Sequence, residues 1–349
     1  MFGLEKEQID KVEDHLSKFT KIFKNCLKVN SEDILIISDY GVGGNKLATM
    51  MGYGYYKAAI DKGYKANMLL QDVKKSFMQV DNHINQSLRL LNKNSVVLLL
   101  LSNKLGKLGP MDKSFRTFCK ENNHRFVSAS GLGGINNTKL DLFMEAINVN
   151  YNRMNRDGLK LKSKLDRVKE IRVKTDKGTD LLIKVEGKES VANTGNYEKP
   201  GTGGNIPAGE VYIAPTGMQG VNGTVVIDGS MRCDEGTKLL NEPLTLTIKE
   251  GRMVKIDGFY KGLLERTLCR CEDRAKFPER VRMIGEFGIG INPGAVLVGS
   301  SILDEKVLGT AHIAIGSNYW FGGDIRTILH LDQVFMNPKI YLDDKELKL

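Results

Sequence analysis

The chain has 349 residues, is 41% hydrophobic and 27% charged, and carries a formal net charge of +9. That length supports two domains with ample cores, and the longest apolar run, Val96–Leu101, is far too short to span a bilayer, so no membrane association is expected. The lysines are scattered, with mild clusters at 18–28 and 159–174 and no basic run interleaved with aromatics; the charge reads as a solvated surface, and no nucleic-acid partner is expected.

Met1 is followed by the polar stretch F-G-L-E-K-E-Q, which lacks signal-peptide character, and a cytoplasmic location is the expectation. Cys26, Cys119, Cys233, Cys269 and Cys271 form no C-x-x-C pair, which points to reduced thiols rather than a zinc site.

Residues 4–28 set Leu4, Ile9, Val12, Leu16, Phe19, Ile22, Phe23 and Leu27 at helical spacing, with His15 read as a surface residue beside that stripe. Short β-branched or apolar runs at 33–38, 66–70, 96–101 and 125–129 read as strands. Helical patterns at 45–62, 82–92, 111–121 and 138–149 separate or follow them. Strands alternating with helices indicate a parallel sheet. The turn Asp39-Tyr40-Gly41-Val42-Gly43-Gly44 lacks the third glycine of a dinucleotide fingerprint and reads as a closely packed strand-to-helix turn. His83 and His124 stand alone and are expected at the surface or as caps.

The pattern changes near 150–167. Residues 170–175 and 179–185 alternate around Lys177-Gly178 and form a hairpin. Further strands are expected at 210–214, 223–227, 244–248, 253–258, 296–299, 311–316, 327–331 and 339–342, with one helix at 261–276. The expectation is an α/β N-terminal domain with a parallel sheet over 1–160, and a mostly β C-terminal domain, α+β in kind, over 161–349.

The chemistry gathers in the second domain. Glu210 opens an apolar strand, Glu286 sits between glycines in I-G-E-F-G-I-G, and Glu305 lies in L-D-E-K. His312 lies in A-H-I-A-I-G, and His330-Leu331-Asp332 places an imidazole and a carboxylate on one strand face. Each alone is weak, since a lone strand glutamate or histidine is more often structural. Together they supply four carboxylates and two imidazoles in apolar surroundings. Carboxylates and imidazoles there need a compensating partner, and two divalent ions sharing a carboxylate would provide one.

The order of these motifs resembles the metallo-aminopeptidase family of the aminopeptidase T and aminopeptidase S type. The shared residues are N-x-P-A-G-E-V (205–211), G-E (285–286), L-D-E (303–305), H-x-A-x-G-S-x-Y (312–319) and H-x-D (330–332). The resemblance implies a hydrolase with Glu210, Glu286, Glu305, His312, His330 and Asp332 as metal ligands, Glu286 bridging and Tyr319 at the reaction centre. It further implies two divalent ions (zinc, cobalt or manganese), peptide substrates and a homodimer. The chain also resembles a ring-cleaving dioxygenase acting on dihydroxypyridine, of the same fold. That alternative implies a single iron, for which His312, His330 and Asp332 would suffice as ligands.

Overall fold

The computed structural model describes residues 2–75, 77–111 and 113–348; positions 1, 76, 112 and 349, including one residue of the helix expected at 111–121, lie outside it. The chain divides into two compact units, residues 1–152 with 195–208, and residues 153–194 with 209–349.

The first unit is built on five parallel strands in the order Ala66–Gln71, Ile34–Asp39, Val96–Leu101, Arg125–Ser130 and Gly203–Asn205. Ile34–Asp39 and Val96–Leu101 are buried along their whole length, as strands covered on both faces must be. The helices Leu47–Asp61, Asn82–Leu90, Phe115–Glu121 and Leu140–Ile147 follow the expected stretches, trimmed at their ends. The glycine-rich turn is a packing device. Buried Asp39 accepts the amide of Gly41 at 3.1 Å, and the amide and hydroxyl of Ser102 at 2.7 and 2.6 Å. Gly41 has a φ of +86°, and a Cβ there would meet the Asn45 carbonyl oxygen at 2.1 Å.

The fifth strand corrects a simple boundary at 160/161. Residues 195–208 return to the first unit because Gly203–Asn205 pairs in parallel with the end strand Arg125–Ser130 and covers its open hydrogen-bonding edge. Among the histidines, His15 pairs with Asp141 at 2.8 Å and His83 contacts the Leu70 carbonyl at 2.7 Å. His124, expected at the surface or as a cap, is fully buried against Phe118. All five cysteines are unpaired. No described helix is long and apolar enough to cross a membrane.

The second unit holds two antiparallel seven-stranded sheets. One runs Arg252–Asp257, Leu244–Lys249, Val221–Ile227, Asp180–Lys184, Glu170–Lys174, Lys339–Leu342 and Lys345–Glu346. The other runs Gly236–Leu239, Ser230–Cys233, His330–Met336, Thr310–Gly316, Ile284–Gly290, Glu210–Ile213 and Val191–Asn193. Leu181, Ile183, Val225 and Leu246 of the first sheet share one core with Val211, Ile213, Phe287, Ile313 and Phe335 of the second. The helix Lys261–Glu272 adds Leu264 and Leu268. The fold class is therefore the expected one, a parallel α/β region followed by an antiparallel β region.

Two local expectations fail. Residues 296–299 form no strand, because the Asp304 carboxylate takes the amides of Val298, Gly299 and Ser300 at 2.7 to 3.1 Å, hydrogen bonds a ladder would otherwise use. The strand expected at 327–331 begins later and runs His330–Met336.

Burial disfavours the charged form of His124 and pushes its pKa from 6.5 down to about 4. Below pH 6.5 the unfolded chain takes up a proton that the folded chain refuses until about pH 4, so the folded state loses stability as pH falls through that window. His124→Phe should show a shallower fall than the parent; urea unfolding at pH 7.5, 6 and 5 on both chains checks this, and parallel curves would contradict it.

Candidate metal centre

Four neighbouring strands, Glu210–Ile213, Ile284–Gly290, Thr310–Gly316 and His330–Met336, carry the chemistry. Their register sets Gly290 opposite Glu210, Gly288 opposite His312 and Gly316 opposite His330, with Ala314 between Glu286 and Asp332. Paired residues on antiparallel strands share a face, as do residues two apart. Glu210, Glu286, His312, His330 and Asp332 therefore project from one face, while Val211, Phe287, Ile313 and Phe335 point into the core from the other. The partners across the strands are small. A Cβ on Gly288 would lie 2.2 Å from the His312 ring, so glycine there makes room for the imidazole.

One ligand atom each from Glu286, His330 and Asp332 lies within 4.8 Å of the others. His330 Nε2 is 3.2 Å from Asp332 Oδ1 and 3.6 Å from Glu286 Oε2. His330 Nδ1 sits 2.7 Å from the Ser317 carbonyl, which can accept only from an N–H, so Nε2 is the nitrogen left for the cluster. His312 Nε2 lies 3.1 Å from Glu286 Oε1 and 3.9 Å from Glu210 Oε2. Burial opposes charge on His330, yet the Asp332 and Glu286 carboxylates outweigh it and hold its pKa up to about 10. Burial likewise opposes charge on Asp332, but His330 and a hydrogen bond from Glu305 keep it well below the usual carboxylate range.

Glu210 and Glu305 meet a residue absent from the sequence-based set. Lys306 is fully buried; its Nζ is 2.7 Å from Glu210 Oε1 and also contacts Glu305 Oε1. Glu210 Oε1 further accepts from the Asn193 amide at 3.1 Å. Burial pushes Glu305 well above the usual carboxylate range against the pull of Lys306, with Asp332 and Glu210 reinforcing the rise. The structure thus brings all six expected ligands into one network. Lys306 directly follows Glu305 in L-D-E-K, and nothing in that spacing marked the lysine as the inward cation.

Tyr319 lies apart from this pattern. It is 61% exposed, and the guanidinium of Arg326 sits 5.3 Å from its ring centroid. The ring set against His330 is that of Trp320, edge-on with centroids 4.8 Å apart. Trp320 continues to Phe321 at 5.4 Å, and Phe321 to Tyr212 at 5.1 Å.

A parallel α/β unit is thus followed by an antiparallel β unit with carboxylates and imidazoles gathered on one face. The model of the 2,5-dihydroxypyridine 5,6-dioxygenase (NicX) family matches residues 151–348, more than half of the chain, and the chain belongs to that family. A curated 2,5-dihydroxypyridine 5,6-dioxygenase of Pseudomonas putida KT2440 is 26% identical over 197 residues. That match spans 53% of this chain and about half, 54%, of the relative. Two solved structures share the fold. The 2,5-dihydroxypyridine dioxygenase from P. putida KT2440 has a TM-score of 0.74 at 17% identity, covering 97% of this chain and 96% of that one. Aminopeptidase T (AmpT) from Thermus thermophilus has a TM-score of 0.61 at 16% identity, covering 94% of each.

These findings overturn the hydrolase expectation: family and curated relative are dioxygenases, and the likeness to the aminopeptidase extends to the fold alone. The physical reason is that the motifs mark strand positions that aim acids and imidazoles at one point. The reaction done there depends on what else occupies that point.

Gly288→Val should crowd His312, cost about 1–3 kcal/mol of stability and weaken divalent-ion uptake at least about tenfold. Gly134→Ala, where a Cβ meets nothing within 4 Å, should do neither. Thermal unfolding and metal titration compare the two; equal behaviour would refute the crowding.

Proposed function

We propose that this chain is a mononuclear, metal-dependent dioxygenase that opens an electron-rich hydroxylated ring of the dihydroxypyridine class, with Fe(II) as its metal. The observation that carries the reading is the Glu286, His330 and Asp332 cluster lying inside the segment matched to the dioxygenase family. One imidazole nitrogen and two carboxylate oxygens, with no thiolate, suit a divalent first-row ion and resemble the three-residue sites of non-haem iron oxygenases. Here Glu286 replaces the second histidine of the expected His312, His330 and Asp332 set, and His312 packs on Glu286.

When bound there, the ion would supply the activation of O2. The chain's own residues do the rest. The Ser317 carbonyl holds His330 so that Nε2 faces Asp332 and Glu286. His312 Nε2 orients Glu286 from its other oxygen. Lys306 pairs with the two further carboxylates, Glu210 and Glu305, so neither needs an ion of its own. Trp320, Phe321 and Tyr212 form an aromatic row starting at His330, a surface suited to a flat ring. In the reaction one ring carbon–carbon bond breaks and both atoms of one O2 enter the product, so O2 is the sole oxidant.

The protein reconstituted anaerobically with Fe(II) should consume one O2 per 2,5-dihydroxypyridine, followed by oxygen electrode and loss of ring absorbance. His330→Ala and Asp332→Asn should lower the rate more than about a hundredfold. An iron-loaded protein that leaves hydroxylated pyridines and O2 untouched would sink the reading. Trp320 is the only tryptophan, so its fluorescence should report on the centre. Fe(II) or Co(II) should quench it, and Trp320→Phe should lose the signal while still binding metal; an unchanged spectrum would place the ion elsewhere.

A further inference from the structure

We propose that Lys306 is the built-in second cation of this centre, and that removing its charge opens a second divalent-ion site between Glu210 and Glu305. The inference rests on the reading that Glu286, His330 and Asp332 hold one ion.

Lys306 is 0% exposed, and its two carboxylate partners are nearly so, with side-chain exposures of 6% for Glu210 and 12% for Glu305. The ammonium sits 2.7 Å from Glu210 Oε1 and against Glu305 Oε1, so it touches one oxygen of each as a bridging ion would. The position is locked by the backbone. The Lys306 amide donates to the Leu303 carbonyl at 3.0 Å, and its own carbonyl accepts from Asn292 at 2.8 Å. Glu210 also faces His312 Nε2 at 3.9 Å, and Glu305 hydrogen-bonds Asp332, so the Lys306 position adjoins the triad on both sides.

Charge decides how many ions enter. The four carboxylates carry at most four negative charges between them. One divalent ion and one ammonium leave the network neutral or one charge negative, whereas a second divalent ion beside the ammonium would make it net positive in a buried setting. Without the ammonium, no cation stands between the buried Glu210 and Glu305 side chains, and His312 lies near Glu210. That is an oxygen-rich donor set for a second hard or borderline ion.

The test is metal counting, not activity. Purified full-length protein and Lys306→Gln are stripped, loaded separately with Mn(II) and Co(II), desalted and analysed by mass spectrometry of the metals. The parent should hold one ion per chain and Lys306→Gln two, with a larger rise of the variant's thermal midpoint on metal addition. Two ions in the parent, or one in a folded Lys306→Gln, would overturn the proposal. Should Lys306→Gln not fold, the neutral triple variant Glu210→Gln, Glu305→Gln, Lys306→Gln decides. One ion per chain supports the proposal; none overturns it, because Glu210 or Glu305 would then hold the first ion. A parent with one ion but no ring-opening activity refutes the dioxygenase reading and leaves this inference standing.

Discussion

Like charges crowded on one face of a buried sheet are the constraint on which the second unit depends. Glu210, Glu286, Glu305 and Asp332 all lie in or against that face. Two unit charges 4 Å apart repel by about 4 kcal/mol even at an effective dielectric of 20, so four such groups cannot stay charged there without cations among them. The chain meets part of this with Lys306 at one end and a strongly basic His330 at the other. It meets another part by keeping Glu305 neutral enough to donate to Asp332. What remains is the cluster of Glu286, His330 and Asp332, whose ligand atoms lie close enough together to hold a metal ion.

The sheet makes this geometry possible. Antiparallel pairing aligns acids and imidazoles from strands far apart in sequence, and small residues across from them leave the space. The opposite face is apolar and packs into the core, so ligand positions cannot slip by one residue without burying charge in that core. Such a frame is indifferent to the reaction. Aminopeptidase T and the dihydroxypyridine dioxygenase both share the fold of this chain, so the fold by itself does not set the reaction.

Much of the fold was legible because period and punctuation agreed. The first-unit strands and helices appear within a few residues of their expected bounds. The failures have identifiable causes. Ile284–Gly290 carries three glycines and a glutamate, a poor strand by propensity, yet it lies inside its sheet between two neighbours. Residues 296–299 have strand composition, but the carboxylate of Asp304 captures their amides. Residues 195–208 join the first unit through a parallel pairing that no local pattern announces.

The amino-acid sequence alone indicated the two-part architecture and offered six acid and imidazole candidates in apolar surroundings, although strand alternation placed only His330 and Asp332 on a common face. It did not determine the inward placement of Lys306 or which aromatic ring stands by His330. Those depend on distances between segments up to about a hundred residues apart, and only the assembled sheet sets them. A lysine next to a glutamate is an exposed turn or a buried counter-charge according to where the chain folds it. Here the fold turned it inward, between the Glu210 and Glu305 carboxylates.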